Sequence, residues 1–223
     1  MDAVIKVGGS LAETPEALKA LCVELSRLAK THSIVVVPGG GKFADSAREY
    51  EKNFNLTAIL AHKLAILAMD QYGMLLSELI PNYCTIDELD EAKHFSKLGN
   101  VPIILPSKLM FKDDVLEASW DVTSDSIATY IAEKLNAEKV ILVTDVDGIF
   151  DKNPQKHIKK AQLLTEISAT DLLKRTGRTS VDRFLPKLLL KNYLPCYVVN
   201  GKFPERVRAV LLGYSTVCTL IKT

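Results

Sequence analysis

Two short apolar runs near the start of the chain, Asp2–Val7 (DAVIKV) and Ile34–Val37 (IVVV), each empty into glycine. The first ends at Gly8-Gly9-Ser10 and the second at Pro38-Gly39-Gly40-Gly41. β-branched residues favour a pleated, buried strand. Helical spacing resumes after each turn, from about Thr14 to Lys30 and again beyond Gly41. A strand that breaks at glycine and turns into a helix, twice over, restricts the chain to alternating strands and helices. That pattern predicts an α/β fold, a mainly parallel sheet sandwiched by helices. Turns of this kind also suit an anion, because glycine allows close backbone approach and several N–H groups can converge. The competing reading is a tight turn that carries no ligand.

The second turn invites two motif tests. A P-loop requires glycine five residues before the Gly-Lys pair, but Val36 stands there and Phe43 replaces the Ser or Thr. Gly39 to Ala44 matches G-x-G-x-x-A, the dinucleotide fingerprint. Its supporting acidic residue, expected ~20 positions later at a strand end, is missing from the helical ILAHKLAILAM.

A second organising stretch runs from Ser119 to Phe150. Thr123 or Ser124 is placed to cap a helix, and Asp125 then falls in its first turn, where a carboxylate suits the positive helix end. Ile127, Tyr130, Ile131 and Leu135 make one apolar face. Lys139–Val143 is a strand that ends in Thr144-Asp145-Val146-Asp147-Gly148, and ligands in open α/β sheets gather at such carboxyl ends. Elsewhere Leu56–Leu79 reads as one long helix and Val101–Leu105 as a strand, with Lys112-Asp113-Asp114 as a solvated turn. Phe150–Lys160 reads as a hairpin or loop, Ser168–Lys174 as a short helix, and Thr176–Arg183 as a polar loop. Helices over Phe184–Tyr193 and Pro204–Leu212 alternate with strands Cys196–Val199 and Thr216–Ile221.

Composition removes several classes. The 223 residues carry 28 basic and 27 acidic side chains, so nothing points to nucleic acid or to an anionic membrane. No apolar run approaches the ~20 residues that span a bilayer, and Met1–Val7 leads directly into a strand with no targeting signature. Cys22, Cys84, Cys196 and Cys218 are scattered with no C-x-x-C pair, which disfavours a zinc site and suggests the cytoplasm. His62 and His94 have no partner cluster in sequence.

Phosphoryl transfer needs cations around a reacting phosphate more than covalent chemistry. Lys6 stands two residues before the Gly8-Gly9 turn, Lys187 near the start of a late helix, and Asp125 is placed to orient both. Each also has a plain reading: a snorkelling strand-end lysine, a solvated helix lysine, and a helix-terminus carboxylate.

Taken in order, Lys6-x-Gly8-Gly9-Ser10, Pro38-Gly39-Gly40-Gly41, Asp125 at a helix start and Thr144-Asp145-Val146-Asp147-Gly148 resemble the amino acid kinase superfamily. The resemblance covers nearly the full chain. It implies one three-layer αβα domain over residues 1–223, with an acceptor-binding part at 1–118 and an ATP-binding part at 119–223. It further implies that Lys6 and Lys187 stabilise the transferring group and that Asp125 holds them. Lys6, Gly8, Gly9 and Ser10 would meet the nucleotide phosphates, with Thr144, Asp145, Asp147, Gly148, Ile149, Asp151 and Pro154 on the nucleotide side. Gly39, Gly40 and Gly41 would face the acceptor. Mg2+ would arrive with ATP and keep several waters, since no preassembled metal site is legible. Superfamily members commonly associate through helices of the N-terminal half, so a homo-oligomer is implied.

Thr123-Ser124-Asp125 stands where acetylglutamate kinases usually carry Asn-Ala-Asp, and Ser180–Lys187 departs from their Gly-Gly-Met segment. Both departures weaken an amino-acid acceptor. Ser119-Trp120-Asp121-Val122-Thr123-Ser124-Asp125-Ser126 with Val181-Asp182-x-Phe184-Leu185-Pro186 is similar to a smaller branch. That branch acts on an aminomethylfuran phosphate monoester of methanofuran-type cofactor biosynthesis. Such an acceptor needs carboxylates at its amine and cations at its phosphate. On that reading Asp121 and Asp182 meet the amine, Trp120 or Phe184 the ring, Lys42 and Arg48 the phosphate, and Thr123 adjoins them. Isopentenyl phosphate and uridylate kinases are the rival enzymes, and a nucleotide-binding storage or regulatory protein is the non-enzymatic alternative.

Overall fold

The computed structural model describes residues 1–113, 115–152, 161–175 and 179–223. The first half contains β1 (Ala3–Val7), a short 3-10 turn (Gly9–Glu13), α1 (Pro15–Leu28), β2 (Ile34–Pro38), α2 (Gly41–Phe54) and α3 (Ala58–Leu79). It continues with β3 (Tyr83–Ile86), α4 (Leu89–Lys97), β4 (Val101–Ile104) and α5 (Ser107–Asp113). The second half holds α6 (Ser124–Leu135), β5 (Val140–Thr144), β6 (Ile149–Phe150), β7 (Leu163–Leu164), β8 (Glu166–Ser168) and α7 (Ala169–Lys174). It closes with α8 (Leu185–Asn192), β9 (Cys196–Asn200), α9 (Pro204–Leu212) and β10 (Cys218–Lys222).

The main sheet runs β3-β4-β2-β1-β5-β9-β10-β8. Its pairs are parallel except β9 with β10, and β6 pairs with β7 as a separate antiparallel ribbon. Side chains alternate across each strand, and two apolar cores follow. Ala3, Ile5 and Val7 of β1 face α1, α3 and α9 through Leu21, Leu25, Tyr72, Leu76 and Val207. Val4 faces the opposite core with Ile127, Ile131, Leu185 and Leu189 of α6 and α8. Lys6 shares the parity of Val4, so the same alternation that builds the core sends its ammonium to the α6 and α8 side.

The parallel register aligns the strand ends that matter. Val7 pairs with Pro38 and with Val143, and Thr144 pairs with Asn200. Both glycine turns and the acidic turn therefore open at one edge of the sheet. Several stretches differ from the sequence expectation. Lys112 and Asp113 end helix α5 instead of forming a turn, and Asp113 accepts a hydrogen bond from the Tyr130 hydroxyl. β3 and α4 had no counterpart in the sequence reading, although YCTI and LDEAKHFSK carry their strand and helix patterns. Among the described residues, no helix is long and apolar enough to cross a membrane.

Candidate active site

The two glycine turns are packed backbone against backbone. The Gly39 amide donates to Val7 O at 2.8 Å and the Gly8 amide to Val143 O at 2.8 Å, extending the ladder one residue past the strands. A Cβ on Gly9 would lie 2.2 Å from Gly41 Cα, and Gly41 itself adopts φ +53°. Only glycine fits both demands. Beyond this contact α2 begins with no side-chain cap. Its first-turn N–H groups thus lack intrahelical partners, and the positive helix end is available to an anion.

Lys6 and Asp125 form an ion pair beneath this edge. Lys6 is 7% exposed and Asp125 5%, and Nζ lies 2.7 Å from Asp125 Oδ1. The ammonium also sits 3.6 Å from where a Gly8 Cβ would be, at the mouth of the first turn. Asp125 reaches this point because Thr123 caps α6, its hydroxyl accepting from the Asp125 amide at 3.4 Å. The other oxygen, Asp125 Oδ2, accepts the backbone N–H of Asp182 at 3.1 Å.

Asp182 is itself buried in donors. Its Oδ2 accepts from the amides of Thr123 (2.9 Å) and Ser126 (3.0 Å) and from the Thr123 hydroxyl (3.0 Å). Its Oδ1 accepts from the Ser126 hydroxyl (2.7 Å) and the amides of Phe184 (3.1 Å) and Leu185 (2.8 Å). Burial pushes this carboxyl up to about 6, aided by the charge of Asp125 and opposed by the bonds from Ser126, Thr123 and Leu185. Below the pair, burial raises the Cys196 thiol well above its ordinary value.

A cavity of about 260 Å³ opens beside the glycine turns. Its polar wall comprises Ser10, Glu13, Lys42, Asp45, Arg48, His62, Thr123 and Ser124, and its apolar wall Ile66, Met69, Trp120, Val122 and Ile127. Trp120 is fixed by its indole N–H, which donates to Glu51 Oε2 at 2.6 Å, and the Arg48 guanidinium stacks 4.3 Å from its ring centroid. Arg48 also pairs with Asp45 at 2.9 Å.

On the neighbouring side, the Ser10 hydroxyl donates to Asp145 Oδ1 at 2.9 Å, and Thr144 Oγ1 reaches the same oxygen at 3.3 Å. Asp147 Oδ1 accepts from Asn200 (2.9 Å) and Arg206 (2.7 Å). Partial burial alone would raise this carboxyl, but the two donors outweigh it and hold it below the usual range. Gly148 has φ +149° and leaves no room for a Cβ, which would meet Thr219 Oγ1 at 2.4 Å. Ile149 is buried, its amide donating to Thr219. Asp151 Oδ1 accepts the Gln162 amide at 2.7 Å, joining the ends of the β6–β7 ribbon.

The structure thus places Gly40, Gly41, Lys42, Arg48, Trp120 and Thr123 on the cavity wall with Gly9 and Ser10. Four acceptor assignments need correction. Asp182 does not face the cavity, because both its oxygens are spent on protein donors behind the wall. Asp121 is exposed outside the cavity lining, and its carbonyl accepts the Phe184 amide at 3.1 Å. Phe184 packs on the α6–α8 core, with Lys187 Nζ 5.3 Å from its ring centroid. Gly39 serves loop packing, since a Cβ there would meet Gly9 N at 2.7 Å. Lys187 is exposed on the first turn of α8 and makes no ion pair with Asp125. Pro154 lies outside the described residues. The sequence reading passed over Glu13 and Asp45, which are ordinary surface acids in sequence, and over Asn200 and Arg206, which only the β5–β9 pairing brings to Asp147.

The family model of the amino acid kinase family matches residues 1–200. The chain belongs to the amino acid kinase family. It is 41% identical over 222 residues to the [5-(aminomethyl)furan-3-yl]methyl phosphate kinase of Methanocaldococcus jannaschii, covering 98% of this chain and 96% of that relative. It is 26% identical to the uridylate kinase of Thermococcus kodakarensis, covering 96% of each. Among solved structures, uridylate kinase from Archaeoglobus fulgidus aligns with TM-score 0.77 at 23% identity, over 99% of this chain and all of that one. UMP kinase from Ureaplasma parvum aligns with TM-score 0.78 at 16% identity, covering 100% and 99%. As a member of this family related to kinases of phosphate compounds, the protein is a phosphotransferase with a phosphate group as acceptor. The Lys6–Asp125 pair holds a buried ammonium at the mouth of the first glycine turn.

Proposed function

We propose that this kinase transfers the γ-phosphoryl group of ATP to [5-(aminomethyl)furan-3-yl]methyl phosphate, giving the diphosphate. An oxygen of the acceptor phosphate attacks the γ-phosphorus, and the bond to the β–γ bridging oxygen breaks with its electron pair leaving on ADP. The observation that carries this reading is the cavity, which combines a cationic end, an aromatic wall and unspent carboxylate in one small volume. Lys42, Arg48 and the uncapped start of α2 suit the acceptor phosphate. Trp120 with Ile66, Met69 and Val122 suits a small ring, and Glu13 suits a terminal ammonium. The 41% identity over nearly the whole chain supports the same acceptor.

Lys6, steadied by Asp125, lies at the glycine turn where the transferring phosphoryl group would sit, and Lys187, on the first turn of α8, is the second cation of this reading. Thr144, Asp145, Asp147 and Gly148 take the nucleotide side. Asp145 fits a magnesium–nucleotide complex, because both of its bonds fall on Oδ1 and Oδ2 remains for a magnesium-bound water. When bound, the ion neutralises charge on the β- and γ-phosphates. We read the protein as a cytoplasmic homo-oligomer, in keeping with its four unpaired thiols and an exposed apolar seam on α3. His62 on the cavity wall favours isopentenyl phosphate as the second reading.

An ADP-release assay with the aminomethylfuran phosphate, isopentenyl phosphate and UMP decides among these. The highest kcat/KM is expected with the first. Turnover confined to UMP or to isopentenyl phosphate would overturn the acceptor, and tight ATP binding without turnover of any would favour a storage or regulatory protein.

A further inference from the structure

We infer that Asp182 is a positioning residue that sets Lys187 in a fixed frame with the Lys6–Asp125 pair. The inference rests on Lys187 acting in the reaction. Two helices begin at this carboxylate. Oδ2 binds the amides of Thr123 and Ser126, at the start of α6, and Oδ1 binds the amides of Phe184 and Leu185, at the start of α8. One side chain therefore occupies the positive ends of two helices, a favourable place for a carboxylate. Phe184, at the N-cap position of α8, provides no side-chain cap of its own. The hydroxyls of Thr123 and Ser126 complete the set.

The backbone of the same residue faces the other way. Its N–H donates to Asp125 Oδ2, while Asp125 Oδ1 holds Lys6. The chain of contacts runs Lys6, Asp125, Asp182, then the first turn of α8. Lys187 stands two residues past Leu185, its own amide donating to Phe184 O at 3.0 Å. Two cations that must meet one phosphoryl group from different elements are thus referred to each other through a single half-buried carboxylate. Geometric tolerance for such groups is narrow, since ~1 Å of misplacement costs ~10²-fold in rate.

The experiment is a double-mutant cycle between Asp182→Asn and Lys187→Ala, read by kcat and KM. Asparagine keeps the volume but replaces one acceptor oxygen with a donor facing N–H groups. Asp182→Asn should lower kcat roughly 10²-fold with KM for both substrates within about threefold. In that background Lys187→Ala should cost under about fivefold more, because a displaced lysine has little left to lose. Multiplying effects, or an unchanged kcat in Asp182→Asn, would overturn the inference. If Asp182→Asn does not fold, Ser126→Ala removes one donor and leaves the carboxylate. Its kcat should fall by about three- to tenfold, with a smaller Lys187→Ala penalty; an unchanged kcat or a full penalty would overturn the inference there too. Lys187→Ala alone, if it leaves kcat unchanged, instead removes Lys187 from the mechanism and overturns the inference through its premise.

Discussion

Lys6 and Asp125 illustrate how a buried pair divides between stability and chemistry. A buried charge left without its partner costs ~3–5 kcal/mol, whereas removing both partners is far milder. Lys6→Ala should therefore lower unfolding stability by about that amount in urea titration and lower kcat by ~10²-fold or more. The double replacement Lys6→Ala/Asp125→Ala should recover much of the stability and none of the rate. A rate that returned with stability would reduce the pair to scaffolding. Glu13 is the contrasting case, an exposed acid on the cavity wall. Glu13→Gln should raise KM about five- to tenfold for the amine-bearing acceptor, the low end for a charge-assisted bond in a solvated position, and leave KM for UMP unchanged. Equal effects on both acceptors would remove Glu13 from amine recognition. The placement of Lys6 at the first glycine turn was legible in the sequence because its distance from Gly8-Gly9 is local. Asp182 was misplaced because a carboxylate next to a loop looks alike whether it faces ligand or clasps two helices. The six donors that decide the matter come from residues up to 59 positions away.

Among elements, the glycine turns show most clearly what local sequence can and cannot specify. A strand followed by glycine and a helix is readable from periodicity, and β1, β2 and β5 appear where alternation and β-branching place them. What periodicity omits is that the turns touch each other. Gly9→Ala puts a methyl group 2.2 Å from Gly41 Cα, against backbone that has no rotamer by which to yield. The loops must separate, at a cost of ~1–3 kcal/mol for overpacking. Thermal melting should report that loss as a lower Tm, and kcat/KM should fall together with it, since the displaced turns also frame the cavity. A variant with native Tm and native kinetics would mean that the two turns slide apart freely. β3 and α4 lay unread for the opposite reason: four strand residues and nine helical ones are too short for a periodic signal to stand out.

The whole molecule adds a surface that neither the residue nor the element scale explains. α3 sends Tyr72 and Leu76 into one core and Ile66 and Met69 into the other and toward the cavity. A third side remains apolar in solvent, with Leu60 (45% exposed), Leu67 (41%) and Met74 (61%) spaced seven residues apart and Ile59 and Leu75 beside them. A seven-residue apolar repeat is the seam by which one helix packs on another. α3 carries both the seam and the cavity wall, so association through it would steady the wall as well as cover the seam. We propose that α3 of a second copy covers the seam; the protein should then sediment as a dimer, at twice the 24.6 kDa of one chain. Leu67→Glu puts a charge at the centre of the repeat, which a helix–helix seam does not tolerate. It should shift sedimentation to the monomer at micromolar concentration and raise the acceptor KM, with the ATP KM little changed because the proposed nucleotide side, Thr144 to Gly148, lies away from α3. A wild-type monomer, or a Leu67→Glu protein that stays dimeric with unaltered acceptor KM, would leave the seam without that role.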